Sequence, residues 1–121
     1  MEDVYELYCR GCQLIADGHH HQAAVPLRRA RDLSPQSASI REALGRALFR
    51  TQHYQEAAAE FRAVADHAPT NDYALFCLGR CLQLMGRNAE ARAPLAQAAS
   101  LQPERRDYQL YLARAAAAES R

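Results

Sequence analysis

The sequence predicts an all-α fold in which antiparallel helix pairs follow one another along the chain. Three sets of residues recur in phase with a period of 34: the glycines Gly11, Gly45 and Gly79, the alanines Ala23, Ala57 and Ala91, and the prolines Pro35, Pro69 and Pro103. Between these markers, apolar residues lie three or four positions apart, which is the spacing of one face of a helix. A fixed period of this length indicates a repeat protein built from one small supersecondary unit.

Each marker has a structural role within a helix–turn–helix unit. Glycine inside a helix costs roughly 0.5–1 kcal/mol relative to alanine, so its repetition predicts a close approach by a second helix. The alanine that follows twelve positions later is the matching small residue on that second helix. Each proline moves the preceding residue out of the α region and so ends the second helix. Short turns, such as DGHH at residues 17–20, separate the helices.

The periodicity predicts about seven helices in a single domain that covers residues 1–121. The predicted helices span about 4–17, 20–33, 38–51, 54–67, 72–85, 88–101 and 106–119. They form three repeats, about 4–37, 38–71 and 72–105, followed by a capping helix at 106–119 whose polar outer face includes Arg114, Glu119 and Arg121. Pro26 and Pro94 share one repeat position, and we expect both in or near a first helical turn, where the lost N–H matters least.

These motifs resemble the tetratricopeptide repeat family, whose pattern reads W-x2-L-G-x2-Y, then A-x3-F, then P. The third repeat matches this pattern at Leu75, Leu78, Gly79, Leu82, Ala91, Leu95 and Pro103. The resemblance covers residues 4–105, with departures: the tryptophan position holds Leu7, Arg41 and Leu75, and the tyrosine position holds leucine each time. The resemblance implies a right-handed superhelix of antiparallel helix pairs that serves as a protein–protein interaction module.

In this family, the first helices of successive repeats line a concave groove that holds a peptide or helix of a partner. Carried over position by position, the resemblance implies a groove formed by Tyr5, Tyr8, Cys12, Glu42, Arg46, Phe49, Arg50, Tyr73, Phe76, Arg80, Gln83 and Arg114. Ile15 and Asp107 occupy further groove positions. Five of the nine aromatic residues fall on groove positions, and exposed aromatic side chains are typical anchors for a partner.

Three of the groove arginines, Arg46, Arg80 and Arg114, recur at one repeat position and form a ladder. If neighbouring first helices lie about 10 Å apart, the ladder spans about 20 Å. Two interpretations remain open. The arginines either bind carboxylates of a partner, or they pair with Glu42 and Asp107 and stack on the aromatic side chains.

We expect the partner to be a protein that offers an extended or helical segment with acidic and apolar residues. One subclass of the family grips a terminal carboxylate with lysine and asparagine, but those positions hold Tyr8, Cys12 and Ala43 here. A first alternative is self-assembly, in which the last helix docks onto another copy through Tyr108, Leu110, Tyr111 and Leu112. A second alternative is a nucleic-acid adaptor, whose mark would be a steep salt dependence of binding.

The stretch YCRGCQLIADGHHHQAA, residues 8–24, contains cysteines and histidines, which are common zinc ligands. The repeat register places His19 and His20 in an inter-helix turn whose equivalents are ordinary polar residues. Cys9 shares its position with Cys77, which predicts small buried thiols at packing positions. A redox Cys-x-x-Cys motif normally opens a helix that follows a strand, and no strand is predicted. We therefore expect neither a bound metal nor a cofactor.

Composition and charge argue against several other classes of function. The 15 basic residues, all arginine, nearly balance 14 acidic ones, so no overall field favours nucleic acid or an anionic membrane. The cluster RRAR at residues 28–31 is expected on a solvated outer face. The chain has no glycine-rich phosphate loop and no nucleophile beside an orienting base, so we expect no enzyme. The acidic start MEDVYELY resembles no signal peptide, and we expect a cytoplasmic location with free thiols.

Overall fold

A computed structural model describes residues 2–119 of the chain. Within that range lie seven α-helices: α1 (Val4–Ala16), α2 (His20–Leu33), α3 (Ala38–Arg50), α4 (Tyr54–His67), α5 (Asp72–Leu84), α6 (Asn88–Leu101) and α7 (Arg106–Glu119). No residue between 2 and 119 belongs to a strand. Arg121, which we expected on the outer face of the cap, lies outside the described residues. The predicted all-α class is confirmed.

The helices stack as antiparallel pairs around one continuous apolar core. Each helix packs on its neighbours in the chain, and α1 also contacts α3 while α5 contacts α7. The core runs from Ala23 in α2 to Ala115 in α7, and a smaller cluster joins Leu7 of α1, Ala30 of α2 and Ile40 of α3. None of the helices described between residues 2 and 119 is long and apolar enough to span a lipid bilayer.

The recurring glycines let the two helices of each pair approach closely. A Cβ atom built on Gly45 would lie 2.7 Å from Cζ of Phe61, and one built on Gly79 would lie 2.5 Å from Cγ of Leu95. Carbon atoms in favourable contact are about 3.5–4.0 Å apart, so any side chain at these positions would force Phe61 or Leu95 to move. The role that the sequence predicts for these two glycines agrees with this geometry.

The first helix of each pair ends one residue earlier than predicted, at Ala16, Arg50 and Leu84. Each ends in the same turn, where the N–H of residue 19, 53 or 87 donates to the carbonyl five positions earlier at 2.8 Å. This turn is the Schellman motif, which needs a residue with positive φ just after the C-cap. Gly18 and Gly86 occupy that position with φ of 84° and 77°, but the second repeat has Gln52 there with φ of 66°.

Replacing Gln52 with glycine is expected to raise the free energy of unfolding by about 0.5–1 kcal/mol. A side chain in the left-handed region costs roughly 1–2 kcal/mol, and the greater entropy of glycine in the unfolded chain offsets part of that gain. Urea denaturation should show a higher midpoint with an unchanged slope. Gln97→Gly, at an exposed position inside α6, is the matched control and should lower the midpoint. A lower midpoint for Gln52→Gly would contradict this account of the turn.

Two prolines lie deeper in their helices than predicted. Pro26 and Pro94 are the seventh residues of α2 and α6, so the expectation that they lie in or near a first turn is wrong. An interior proline leaves the carbonyl four residues earlier without its helical donor. Those carbonyls belong to Gln22 and Glu90, which are exposed, so water can satisfy them. Both prolines are buried, and Pro94 lines a crevice together with Leu75 of α5.

The second repeat contains a buried ion-pair cluster that sequence analysis did not predict. Glu60 of α4 is only 4% exposed. Its carboxylate accepts hydrogen bonds from Arg31 of α2 at 2.5 Å and from Arg41 of α3 at 2.9 Å. Nε of Arg41 also donates to the carbonyl oxygen of Pro35 at 2.8 Å. The cluster therefore joins three helices and the turn between α2 and α3.

The last helix is anchored to α5 by a buried tyrosine. Tyr108 is 0% exposed, its hydroxyl donates to Asp72 at 2.7 Å, and its ring stacks on Phe76 with centroids 4.5 Å apart. Tyr108 therefore cannot contact a second copy, and its inclusion in the self-assembly surface is wrong. Leu110 is 47% exposed, and Tyr111 and Leu112 are partly buried against the core.

Candidate partner-binding site

A cavity of about 620 Å³ opens on the side of the stack formed by the odd-numbered helices. It is referred to below as the groove cavity. Its lining residues are Ile15, His20, Arg46, Phe49, Arg50, Phe61, Tyr73, Phe76, Cys77, Arg80, Arg105, Asp107 and Tyr111. Most of them lie on α3, α5 and α7, because the groove face of each first helix turns toward the same side at each 34-residue step.

Aromatic side chains form the apolar part of the groove cavity. Phe76 meets Tyr111 edge to face, with ring centroids 5.6 Å apart, and Phe49 meets Tyr54 edge to face at 5.5 Å. Phe49, Phe76 and Tyr111 are partly buried, whereas Tyr73 is 40% exposed. These contacts fix the rings against the core and leave apolar area facing the cavity.

Three arginines face the same cavity without an acidic partner. Between residues 2 and 119, no carboxylate lies within ion-pair distance of Arg46, Arg50 or Arg80. The guanidinium of Arg80 lies 4.0 Å from the ring centroid of Tyr111 and donates to Oε1 of Gln83 at 3.0 Å. Stacking holds this planar group in place while leaving further N–H donors available.

The two acidic residues that might have paired with the arginine ladder have other partners. Glu42 accepts a hydrogen bond from the side chain of Asn71 at 2.7 Å. Asp107 pairs with Arg105 at 2.7 Å, and this contact lowers the pKa of its carboxyl group. Internal pairing of the ladder with Glu42 and Asp107 is therefore not what the structure shows, although stacking of Arg80 on Tyr111 is.

The remaining candidate residues lie outside the groove cavity. Tyr5 is 70% exposed on α1, while Tyr8 and Cys12 pack partly against the core. Gln83 is held by α7, because its side-chain amide donates to the Tyr111 carbonyl at 2.9 Å. Glu42 is half-buried beside Asn71, and Arg114 is exposed with its guanidinium 5.1 Å from the Tyr111 ring centroid.

Five lining residues were not among the predicted groove positions: His20, Phe61, Cys77, Arg105 and Tyr111. Nδ1 of His20 is buried and has no hydrogen-bond partner among the described residues. Burial and the nearby charge of Arg50 lower the pKa of His20, so its ring is neutral near pH 7. His20 is the first residue of α2, and the 34-residue step to Tyr54 and Asn88 was the only sequence signal that marked its position.

The groove cavity lacks an activated nucleophile. Burial raises the pKa of the Cys77 thiol to about 11, so the thiol stays protonated at neutral pH. Nowhere between residues 2 and 119 do three or more histidine, cysteine, aspartate or glutamate side chains gather in a way that could hold a metal ion. The arginines can supply hydrogen bonds to a ligand in this cavity, and the aromatic rings can supply apolar contact.

Cys9 departs from the packing role predicted for it. It is exposed, whereas Cys81 is buried and Cys77 is partly buried. The equivalent of Cys9 in α3 is Ala43, which is 1% exposed. Within the described residues no helix precedes α1, so the same repeat position faces solvent there. The prediction of a small buried thiol is wrong for Cys9.

Residues 51–115 match the family model described as tetratricopeptide repeat. No curated protein matches the chain at a significant level. Among solved structures, the chain is similar to "MamA MSR-1 C2", with a TM-score of 0.88 and 24% identity over 94% of this chain and 66% of that one. It is also similar to "MamA 41-end from Desulfovibrio magneticus RS-1", with a TM-score of 0.92 and 22% identity over 98% of this chain and 67% of that one.

A third similar structure is "First TPR of Spaghetti (RPAP3) bound to HSP90 peptide SRMEEVD". Its TM-score is 0.89 and its identity is 15%, over 98% of this chain and 94% of that one. This chain spans about two thirds of the length of the MamA chains that it matches. At these identities the likeness establishes the fold, and it confirms the predicted superhelix of antiparallel helix pairs.

Proposed function

Because the chain belongs to the tetratricopeptide repeat family, we propose that it binds an acidic and apolar segment of a partner protein in its groove cavity. The family consists generally of interaction modules without enzymatic activity. The observation that carries the proposal is the convergence of Arg46, Arg50 and Arg80, none of them ion-paired among the described residues, on a cavity lined by aromatic rings.

The arginines supply the polar half of the recognition. Each guanidinium can bind a carboxylate through two parallel hydrogen bonds, and such charge-assisted bonds are stronger than neutral ones. Three like charges around one cavity also repel one another, so a ligand that brings negative charge relieves that repulsion. An acidic segment therefore fits this side of the stack better than a basic or neutral one.

The aromatic rings supply the apolar half. Phe49, Tyr73, Phe76 and Tyr111 are held by ring contacts before a partner arrives, so binding orders few of their torsions. Side chains such as leucine or phenylalanine of the partner can bury area against them. The RPAP3 structure is bound to an HSP90 peptide with three acidic residues, which supports a peptide as the ligand class. Tyr8, Cys12 and Ala43 argue against the same terminal-carboxylate clamp.

A library of displayed random peptides tests the proposed ligand class directly. We expect the purified protein to enrich sequences that combine glutamate or aspartate with leucine or an aromatic residue. Enrichment of basic or uniformly polar peptides would contradict the proposal. If instead single-stranded nucleic acid binds more tightly than any enriched peptide, with a steep salt dependence, the adaptor alternative would replace it.

Substituting Arg80 then tests the site, with one enriched peptide as the probe. Hydrogen bonds to charged groups contribute roughly 1.5–3 kcal/mol, so Arg80→Ala should weaken binding about tenfold to a hundredfold by calorimetry. Arg80→Lys should recover only part of the loss, because an ammonium group cannot form the bidentate contact. Circular dichroism should show that both variants keep the helical content of the wild type.

Arg29→Ala is the matched control for this substitution. Arg29 lies on α2, its side chain is 66% exposed, and it pairs with Glu2 rather than facing the groove cavity. We expect its removal to leave the affinity for the same peptide unchanged. If Arg29→Ala weakens binding while Arg80→Ala does not, the partner binds the opposite face of the stack.

A further inference from the structure

A second apolar groove lies at the α7 end of the stack, away from the groove cavity. α6 and α7 enclose about 600 Å³ there, lined in part by Ala89 and Ala93 of α6 and by Leu112 and Ala113 of α7. The charged lining residue is Arg92, whose guanidinium is bonded to Glu119 at 2.9 Å. Because the groove is apolar and locally neutral, an apolar helix face can bind there without burying an unpaired charge. It is referred to below as the end groove.

The repeat register indicates that a helix would fit into the end groove. Leu112 and Ala113 stand one period after Leu78 and Gly79, which are buried in α5 under α6. α7 is therefore a first helix, and no second helix covers it among residues 2–119. The end groove can therefore accommodate a helix that packs against both α6 and α7.

Ala113 determines how large a side chain the bound helix can carry at the point of contact with α7. At the equivalent Gly79, a Cβ atom would lie 2.5 Å from Cγ of Leu95, so a leucine cannot cover an alanine at this distance. A helix that carries leucine or phenylalanine at that point, as α4 and α6 do, would have to lie farther from α7 than α6 lies from α5. A helix with a small side chain there does fit, and α7 is itself such a helix, with alanine at 113 and at 115–118.

We propose that the end groove binds α7 of a second copy of this chain, forming a two-fold symmetric dimer. With the two α7 helices antiparallel, Ala113 of each copy meets the equivalent alanine of the other, and the small side chains allow close approach. Each α7 then lies in the end groove of the other copy and packs beside that copy's α6. The contact is isologous, so it closes at two subunits.

The opposite end of the stack argues against a head-to-tail polymer instead. In α3, the positions that face the preceding helix hold Ile40 and Ala47, which are 4% and 0% exposed. In α1, the same positions hold Glu6 and Gln13, both exposed. Covering that end with the apolar end groove would bury a carboxylate without a partner, which is strongly unfavourable. A symmetric dimer leaves the polar end in water.

Sedimentation equilibrium between about 1 µM and about 1 mM tests the dimer, because this range covers the affinities of small interfaces. We expect the wild type to convert from monomer to dimer within it. Ala113→Arg, at an exposed helical position, should remain monomeric with unchanged helical content. Ala59→Arg, at an exposed position of α4, is the matched control and should dimerise like the wild type. A wild type that stays monomeric throughout, or a dimer that survives Ala113→Arg, would overturn the proposal.

A symmetric crosslink tests the orientation. The exposed Cys9 is first replaced by serine. In that background, Ala113→Cys should form an intermolecular disulfide on treatment with diamide, because residue 113 of one subunit lies opposite residue 113 of the other near the two-fold axis. Ala59→Cys should not crosslink under the same conditions. Equal crosslinking of the two variants would contradict the antiparallel arrangement. Both experiments are independent of the proposed function, since Ala113 does not line the groove cavity.

Discussion

Replacing Gly79 with leucine is expected to lower the free energy of unfolding by about 3 kcal/mol or more. The added Cβ would lie 2.5 Å from Cγ and 2.6 Å from Cδ2 of Leu95, which is itself 0% exposed. Overpacking of a dense core typically costs 1–3 kcal/mol, and here the whole side chain has to displace α6 from α5. The displacement would also spread to α7, which packs on α6. We therefore place this substitution among the most destabilising in the chain.

Urea denaturation followed by circular dichroism would measure this effect. Ala59→Leu, at an exposed position of α4, adds a side chain of similar size and should change the midpoint little. Gly79→Ala should fall between the two, because a single methyl group displaces Leu95 less than a whole leucine side chain does. A Gly79→Leu protein with the midpoint of the wild type would contradict the helix contact on which the repeat assignment depends.

The fold was predictable because the helix contacts leave a periodic trace in the sequence. The glycines and the prolines mark where helices touch and where they end, and the bounds of α2, α4, α6 and α7 agree with the predicted ones. The one-residue error in the first helices arose at the Schellman turns, where the residue predicted to end each helix is the C-cap just before the position of positive φ. The misplaced prolines had another cause, since Pro26 and Pro94 were judged by backbone propensity, whereas both are buried inside their helices.

The candidate site was predictable only in part, because the register locates positions on first helices and not the neighbours that fold over them. The register places these predicted residues on the groove cavity: Arg46, Phe49, Arg50, Tyr73, Phe76 and Arg80. It could not show that His20 of α2 lines the cavity beside them, or that Tyr111 stacks under Arg80. Those contacts depend on how far each pair rotates about the superhelix axis, which the spacing of residues does not reveal.

The buried cluster around Glu60 shows how one repeat departs from its neighbours without losing the fold. Glu60 and Arg41 stand at the repeat positions that hold Pro94 and Leu75 in the third repeat. Leu75 and Pro94 line one crevice, so an apolar contact there corresponds to the ion pair between Arg41 and Glu60. Both members of the pair differ together, which indicates that the second repeat exchanged one kind of contact for another.

Glu60→Leu is expected to lower the free energy of unfolding by about 2–4 kcal/mol. Removing one member of a buried ion pair typically costs 3–5 kcal/mol, and the figure is reduced here because Arg31 and Arg41 retain 26% and 24% exposure and reach water. Arg41→Leu should cost less, since Arg31 still neutralises Glu60. Chemical denaturation at neutral pH measures both single variants.

The double variant Arg41→Leu/Glu60→Leu separates the ion pair from the space it fills. Replacing a buried ion pair with apolar residues of similar volume is often neutral or stabilising, so the double variant should be more stable than Glu60→Leu alone. We expect a coupling energy of about 1–3 kcal/mol between the two positions, within the range found for residues in contact. If the decreases in unfolding free energy of the two single variants simply add, Arg41 and Glu60 are not coupled. The ion pair would then not correspond energetically to the contact between Leu75 and Pro94. Recovery of stability in the double variant would show that this position of the repeat needs a matched pair, whether charged or apolar.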